Sequence, residues 1–259
     1  MNSSEPDLKS SRVAESKSNY SWLRLVLGIT LLPALLFAIV NLSVGLAVDG
    51  NGNIKQIQGF LLSSSSFIVA ALLYLLMTGK IKETLSFLKL KSFHWIHVVV
   101  GLGAAAATYS LAILVGMITA LLVTQSGGGE EAMGQNSTTE TINSLTQSSS
   151  IVFLGFMIAL LAPIGEELFF RGAMLGSMIQ DSTKKWVRVL SVVLISVVFG
   201  LFHMQTPTGT AADFTAVIVP GLVGLTSGLT VLMYNSLYPA IFTHVFYNAA
   251  VLMIIAYGG

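Results

Sequence analysis

About seven apolar stretches, each near the length of a bilayer crossing, limit what this chain can fold into: 22–48, 57–78, 95–123, 151–179, 187–206, 215–235 and 238–257. A spanning helix needs about 20 mainly apolar residues. In hydrocarbon a backbone N–H or C=O finds no water, so a stretch of this length satisfies itself as a helix. The composition agrees. The chain is 54% hydrophobic and 10% charged, where soluble domains carry about a quarter of charged residues. These features exclude a soluble globular domain and predict an all-α, polytopic transmembrane helical bundle.

The first 21 residues are polar and Ser-rich and read as a flexible tail. The apolar stretch that follows exceeds a signal-peptide core of about 7–15 residues, so it is expected to stay as a first span. Residues 22–123 then form an N-terminal three-helix membrane region. The Gly/Ser/Thr/Asn-rich stretch 124–150, with Gly127-Gly128-Gly129, reads as a flexible external loop. It holds a weak glycosylation sequon at Asn136. Residues 151–259 make up a four-helix C-terminal region. The absence of cysteine removes disulfides, thiolate metal sites and a Cys nucleophile.

Lys and Arg fall on alternate loops. Lys9, Arg12, Lys17 and Arg24 precede or open the first span. Lys80, Lys82, Lys89 and Lys91 follow the second, and Lys184, Lys185 and Arg188 follow the fourth. Glu130, Glu131 and Glu140 populate the 124–150 loop without a cation. Basic loops face the cytoplasm, which puts the N-terminus there and the 124–150 loop outside. Trp95, framed by His94 and His97, reads as an interfacial anchor.

Against this background three ionisable groups stand out in Pro163-Ile164-Gly165-Glu166-Glu167-Leu168-Phe169-Phe170-Arg171-Gly172. A charged residue near a bilayer centre costs roughly 2.5–3.5 kcal/mol and marks a functional site by default. Glu167 and Arg171 are spaced i,i+4 and can meet on one helix face. Read structurally, they are a clamp between helices. Glu166 points about 100° away from Glu167 and has Phe170 at its own i+4 position, so it lacks a local counter-charge. Desolvation disfavours the charged form of such a group, which suits a proton acceptor working near neutral pH.

Two further groups lie in later spans. His203 closes Phe199-Gly200-Leu201-Phe202-His203. Glu166 lies 18 residues before the Lys184-Lys185 turn and His203 lies 18 after it, so an antiparallel hairpin would place them at one depth. His244 and Asn248 share a face of the last span at i,i+4. They could donate to a developing oxyanion or serve as hydrogen-bond glue between helices. His244 lies only about 10 Å past the preceding turn. It is level with Glu166 only if the 172–190 hairpin protrudes or tilts.

These pieces in this order resemble the CPBP intramembrane protease family, which includes CAAX prenyl-protein endopeptidases and bacteriocin-immunity proteins. The matching motifs are Glu166-Glu167-x-x-x-Arg171, Phe199-x-x-x-His203 and His244-x-x-x-Asn248. The resemblance spans roughly 151–257. It implies a catalytic four-helix core that cleaves a peptide bond of a membrane-associated protein or peptide, CAAX-type processing being the family's best-known activity. It implies that Glu166, beside Glu167, activates a water. It further implies that His203 orients that water or protonates the leaving amine, and that His244 and Asn248 stabilise the oxyanion. Arg171 would be the structural partner of Glu167. The expected partners are that substrate and the lipid bilayer, not nucleic acid. The expected location is a bacterial cell membrane.

No cofactor is expected as obligatory. A divalent ion such as zinc is compatible with Glu166, His203 and His244 as ligands, although His-Glu-x-x-His is absent. The alternative reading is a non-proteolytic scaffold or self-immunity protein of the same fold. A transporter using the buried Glu and His is disfavoured by the lack of repeats or paired broken helices.

Overall fold

Apolar side chains drive these segments into a bundle whose helices carry few charges, and hydroxyl groups in their interiors turn back on their own backbone. Thr108 donates to the carbonyl of Ala104, Ser177 to Ala173, Ser196 to Val192 and Thr243 to Pro239, all at 2.7–2.8 Å. Each bond satisfies a polar group that could not reach water. The structure, a computed structural model, describes residues 65–73, 90, 92–128, 153, 155–179, 184–204 and 210–257. The expected tail 1–21, first span 22–48, sequon and most of the 57–78 and 124–150 segments lie outside the described residues.

Among the described residues every regular element is helical. A helical segment at 65–73 comes first. Helix α1 runs Ile96–Gln125. Helix α2 is continuous over 155–179 but alternates in winding. Gly155–Leu161 is π-helical, Ala162–Glu167 α-helical, Leu168–Leu175 π-helical and Gly176–Ile179 α-helical. Helices α3 (Lys185–Phe202), α4 (Ala211–Tyr234) and α5 (Tyr238–Tyr257) follow. Of these, α1, α3, α4 and α5 are each long and apolar enough to cross a membrane. The all-α membrane architecture therefore holds; four such helices lie among the described residues, and the expected count of seven extends over stretches outside them.

The ends of these helices have local causes. Helix α4 starts after Thr210 in extended conformation and stops at Asn235, whose left-handed backbone (φ 48°, ψ 37°) closes the helix. Pro239 sits in the first turn of α5, where a missing N–H costs little. Helix α3 ends at Phe202 with His203 as its C-cap, four residues short of the expected 206.

Helix α1 packs on α4 and α5, and α4 packs on α3. Gly101 of α1 stands so close to Phe242 of α5 that an added Cβ would strike the Phe242 Cβ. The hydroxyls of Thr108 and Thr226 lie 2.7 Å apart between α1 and α4, a polar contact of the kind that joins helices in lipid. At the start of α1, Trp95 of the expected interfacial anchor is exposed. His97 is not part of that anchor. It is buried and stacks on Tyr238 with ring centroids 5.8 Å apart, beside Tyr234, because the α4–α5 turn folds over it.

Candidate active site

Helix α2 carries the acidic pair at the junction between its second and third stretches. Glu167 and Arg171 do meet across one turn, with Nη1 to Oε1 at 3.1 Å, and both are fully buried. The guanidinium carbon also lies 4.4 Å from the centre of the Phe199 ring, so a cation–π contact adds to the ion pair. Glu167 has a second partner that the sequence did not reveal. His244 of α5 places its Nδ1 3.0 Å from the same Oε1. A carboxylate only accepts, so Nδ1 carries the proton and donates it.

Glu166 faces elsewhere, as its helical position requires. Its Oε2 lies 3.8 Å from Nε2 of His203 and 3.8 Å from Nε2 of His244. This oxygen is buried and has no hydrogen bond among the described residues. The hairpin of α2 and α3 thus brings Glu166 and His203 to one level. His203 is held by its own helix, its Nδ1 2.8 Å from the Phe199 carbonyl. A carbonyl cannot donate, so Nδ1 holds a proton there, and Nε2 is the nitrogen that faces Glu166.

The depth of His244 is settled by packing. Helix α5 lies against the first two stretches of α2, antiparallel to them, so His244 meets Glu166 and Glu167 while Asn248 meets Ile158. Helix α5 also packs along α1, through Phe242 at Gly101 and Tyr247 beside Tyr109.

Asn248 donates from Nδ2 to the Ile158 carbonyl at 3.1 Å. The cause lies in α2. In π winding the carbonyl of residue i pairs with the N–H of i+5, which for Ile158 is Pro163, and proline has no N–H. Asn248 supplies the missing donor and keeps one amide N–H free. Pro163 was visible in the sequence, but its link to Ile158 follows only from the π winding.

Phe199 binds the site together. Its buried ring stands 4.6 Å from the His203 ring, 5.6 Å from that of His244 and 5.0 Å from that of Phe170, centre to centre. All six sequence-predicted residues are therefore in or beside one cluster drawn from α2, α5 and the C-terminal end of α3. Of the three groups that meet at Glu166 Oε2, His203 is the most open, with 30% of its side chain accessible against 12% for Glu166 and 4% for His244. Among the described residues no group of three or more His, Cys, Asp or Glu side chains is spaced to hold a metal ion.

Comparison with known proteins adds one finding. Residues 148–250 match the family described as type II CAAX prenyl endopeptidase Rce1-like, a range that includes every residue of the cluster. No curated protein and no solved structure matches the chain.

Proposed function

We infer that this membrane protein, whose residues 148–250 match the type II CAAX prenyl endopeptidase Rce1-like family, is an intramembrane endopeptidase in which Glu166 activates the attacking water. The observation that supports this is the position of Glu166 Oε2, 3.8 Å from each of two imidazole Nε2 atoms on different helices.

Glu166 Oε2 and His203 Nε2 are both acceptors, and they are close enough for one water molecule to donate a hydrogen bond to each. A water held in this way turns its oxygen lone pairs outward. Its oxygen attacks the carbonyl carbon of the scissile peptide while one proton passes to Glu166. The C=O electrons move to the oxygen and give a tetrahedral oxyanion. Collapse of that intermediate breaks the C–N bond, and Glu166 returns its proton to the leaving amine.

The oxyanion needs donors. Glu166, Glu167 and Arg171 together leave one unbalanced negative charge, and a second proton on His244 closes the balance. His244 then donates from Nδ1 to Glu167 and presents Nε2–H to the developing charge. The free N–H of Asn248 is the second donor, with its other N–H fixed on Ile158. Glu167 and Arg171 do not touch substrate in this scheme; they orient His244.

No step here runs through a metal. The substrate is a membrane-associated peptide or protein, with CAAX-type C-termini the class the family suggests.

The test is hydrolysis by the purified protein in proteoliposomes offered membrane-anchored peptides, with products identified by mass spectrometry. A single new peptide bond cleavage, insensitive to chelators, is expected. Loss of cleavage on chelation would replace the water-activation scheme with a metal one. Absence of cleavage, together with cellular function retained by Glu166→Ala, would favour the scaffold or immunity reading.

A further inference from the structure

Three glycines of α4 line its contact with α3 at intervals of about one turn, and they are not equivalent. A Cβ at Gly221 would meet only the Ser196 carbonyl oxygen, at the ordinary distance of 3.6 Å. A Cβ at Gly228 would come within 2.6 Å of Val192 Cγ1. A Cβ at Gly224 would come within 2.9 Å of Arg171 Nη2 and within 3.1 and 3.2 Å of Ser196 Cα and Cβ. Alanine is the better helix former, so glycine at 224 is explained by room.

That room belongs to a guanidinium with few other constraints. Among the described residues Arg171 makes one ion-pair contact, Nη1 to Glu167 Oε1. Neither Nη1 nor Nη2 makes a hydrogen bond of good geometry among the described residues. Its orientation is therefore set by packing, with the Phe199 ring at 4.4 Å on one side and the bare backbone of Gly224 at Nη2. The oxygen it pairs with also accepts from His244 Nδ1. A shift of the guanidinium thus passes through a single atom to the ring that faces Glu166.

We propose that Gly224 is a positioning residue: its missing side chain seats Arg171 against Glu167 and so fixes the orientation of His244. The kinetic consequence rests on the proteolytic reading above; the geometric one does not.

The experiment compares Gly224→Ala, Arg171→Lys, the double variant and Gly228→Ala in full-length protein in lipid nanodiscs. Peptide cleavage and the NMR signal of the His244 Nδ1–H in histidine-labelled protein are both read. In Gly224→Ala, kcat falls by up to about 100-fold, the loss that a misplacement of about 1 Å can cause, with KM little changed and the Nδ1–H signal shifted. Lysine keeps a cation four residues from Glu167 but lacks Nη2. Adding Gly224→Ala to Arg171→Lys therefore causes no further loss in either readout. Gly228→Ala crowds Val192 at the same interface and lowers thermal stability without moving the His244 signal.

Wild-type kcat and an unmoved signal in Gly224→Ala would overturn the inference. So would equal losses with arginine or lysine at 171, misfolding of both Gly224→Ala and the double variant, or the same signal shift in Gly228→Ala. If Glu166→Gln abolishes cleavage while Gly224→Ala changes neither quantity, the positioning role fails alone. If no peptide is cleaved yet the His244 signal still moves in Gly224→Ala and not in the double variant, the proteolytic reading fails alone.

Discussion

Two adjacent glutamates in one apolar helix do different jobs because consecutive helical residues face different neighbours. Glu167 is locked between Arg171 and His244 with no exposure. Among the described residues the free oxygen of Glu166 lies 3.8 Å from two imidazole nitrogens. Glu167→Gln strips the guanidinium of its counter-charge and should cost about 3–5 kcal/mol, as removal of one partner from a buried ion pair does. The double variant Glu167→Gln/Arg171→Met removes both charges and should recover much of that loss. Denaturation in detergent checks both; equal stability of the single variant and wild type would contradict the pairing. The Glu167–Arg171 pair was legible in the sequence because both ends lie on one helix. The Glu167–His244 bond joins residues of separate helices, and no local pattern encodes the packing that makes it.

At the scale of the helix, apolar runs marked α1 to α5 well because length and lipid leave few alternatives. They did not reveal the changes of winding in α2, since a run that is apolar on all sides shows no period to break. Asn248 illustrates the consequence. Its amide fills a place that Pro163 leaves open at Ile158, so Asn248→Ala should cost about 1–3 kcal/mol for an unsatisfied buried carbonyl. Pro163→Ala in that background restores an N–H and should return part of it. No recovery in the melting temperature would argue against this account of the contact. Between helices, Gly101→Ala should lower thermal stability sharply, because the new Cβ meets Phe242. Gly103→Ala meets nothing within 4 Å and should be neutral, or stabilising by up to about 1 kcal/mol through helix propensity. Equal effects at the two sites would mean that α1 and α5 are not in contact.

In the molecule as a whole, the first turn of α1 and the α4–α5 turn share one end of the bundle through His97, Tyr234 and Tyr238. Helix α3 begins near that end, since Val192 packs at Gly228, so Lys184, Lys185 and Arg188 lie there too. On the expected orientation that end is cytoplasmic. The chain has no cysteine, so single cysteines at Lys185 and Ser126 can be labelled from opposite sides of sealed cells. Ser126 should react with an impermeant reagent from outside and Lys185 only after permeabilisation; the reverse pattern would invert the topology. The hairpin count placed Glu166 and His203 level from sequence alone. The register of α5 could not be counted in that way, because it depends on how α5 packs against both α2 and α1.

The most direct test is the single-turnover rate of peptide cleavage by Glu166→Gln protein whose melting temperature matches the wild type. Amide replaces carboxylate at nearly the same size, so only the proton acceptor is lost. The rate should fall by about 100–10,000-fold, the range for loss of a general base. A wild-type rate from the folded variant would contradict the assignment of Glu166 as the group that activates water.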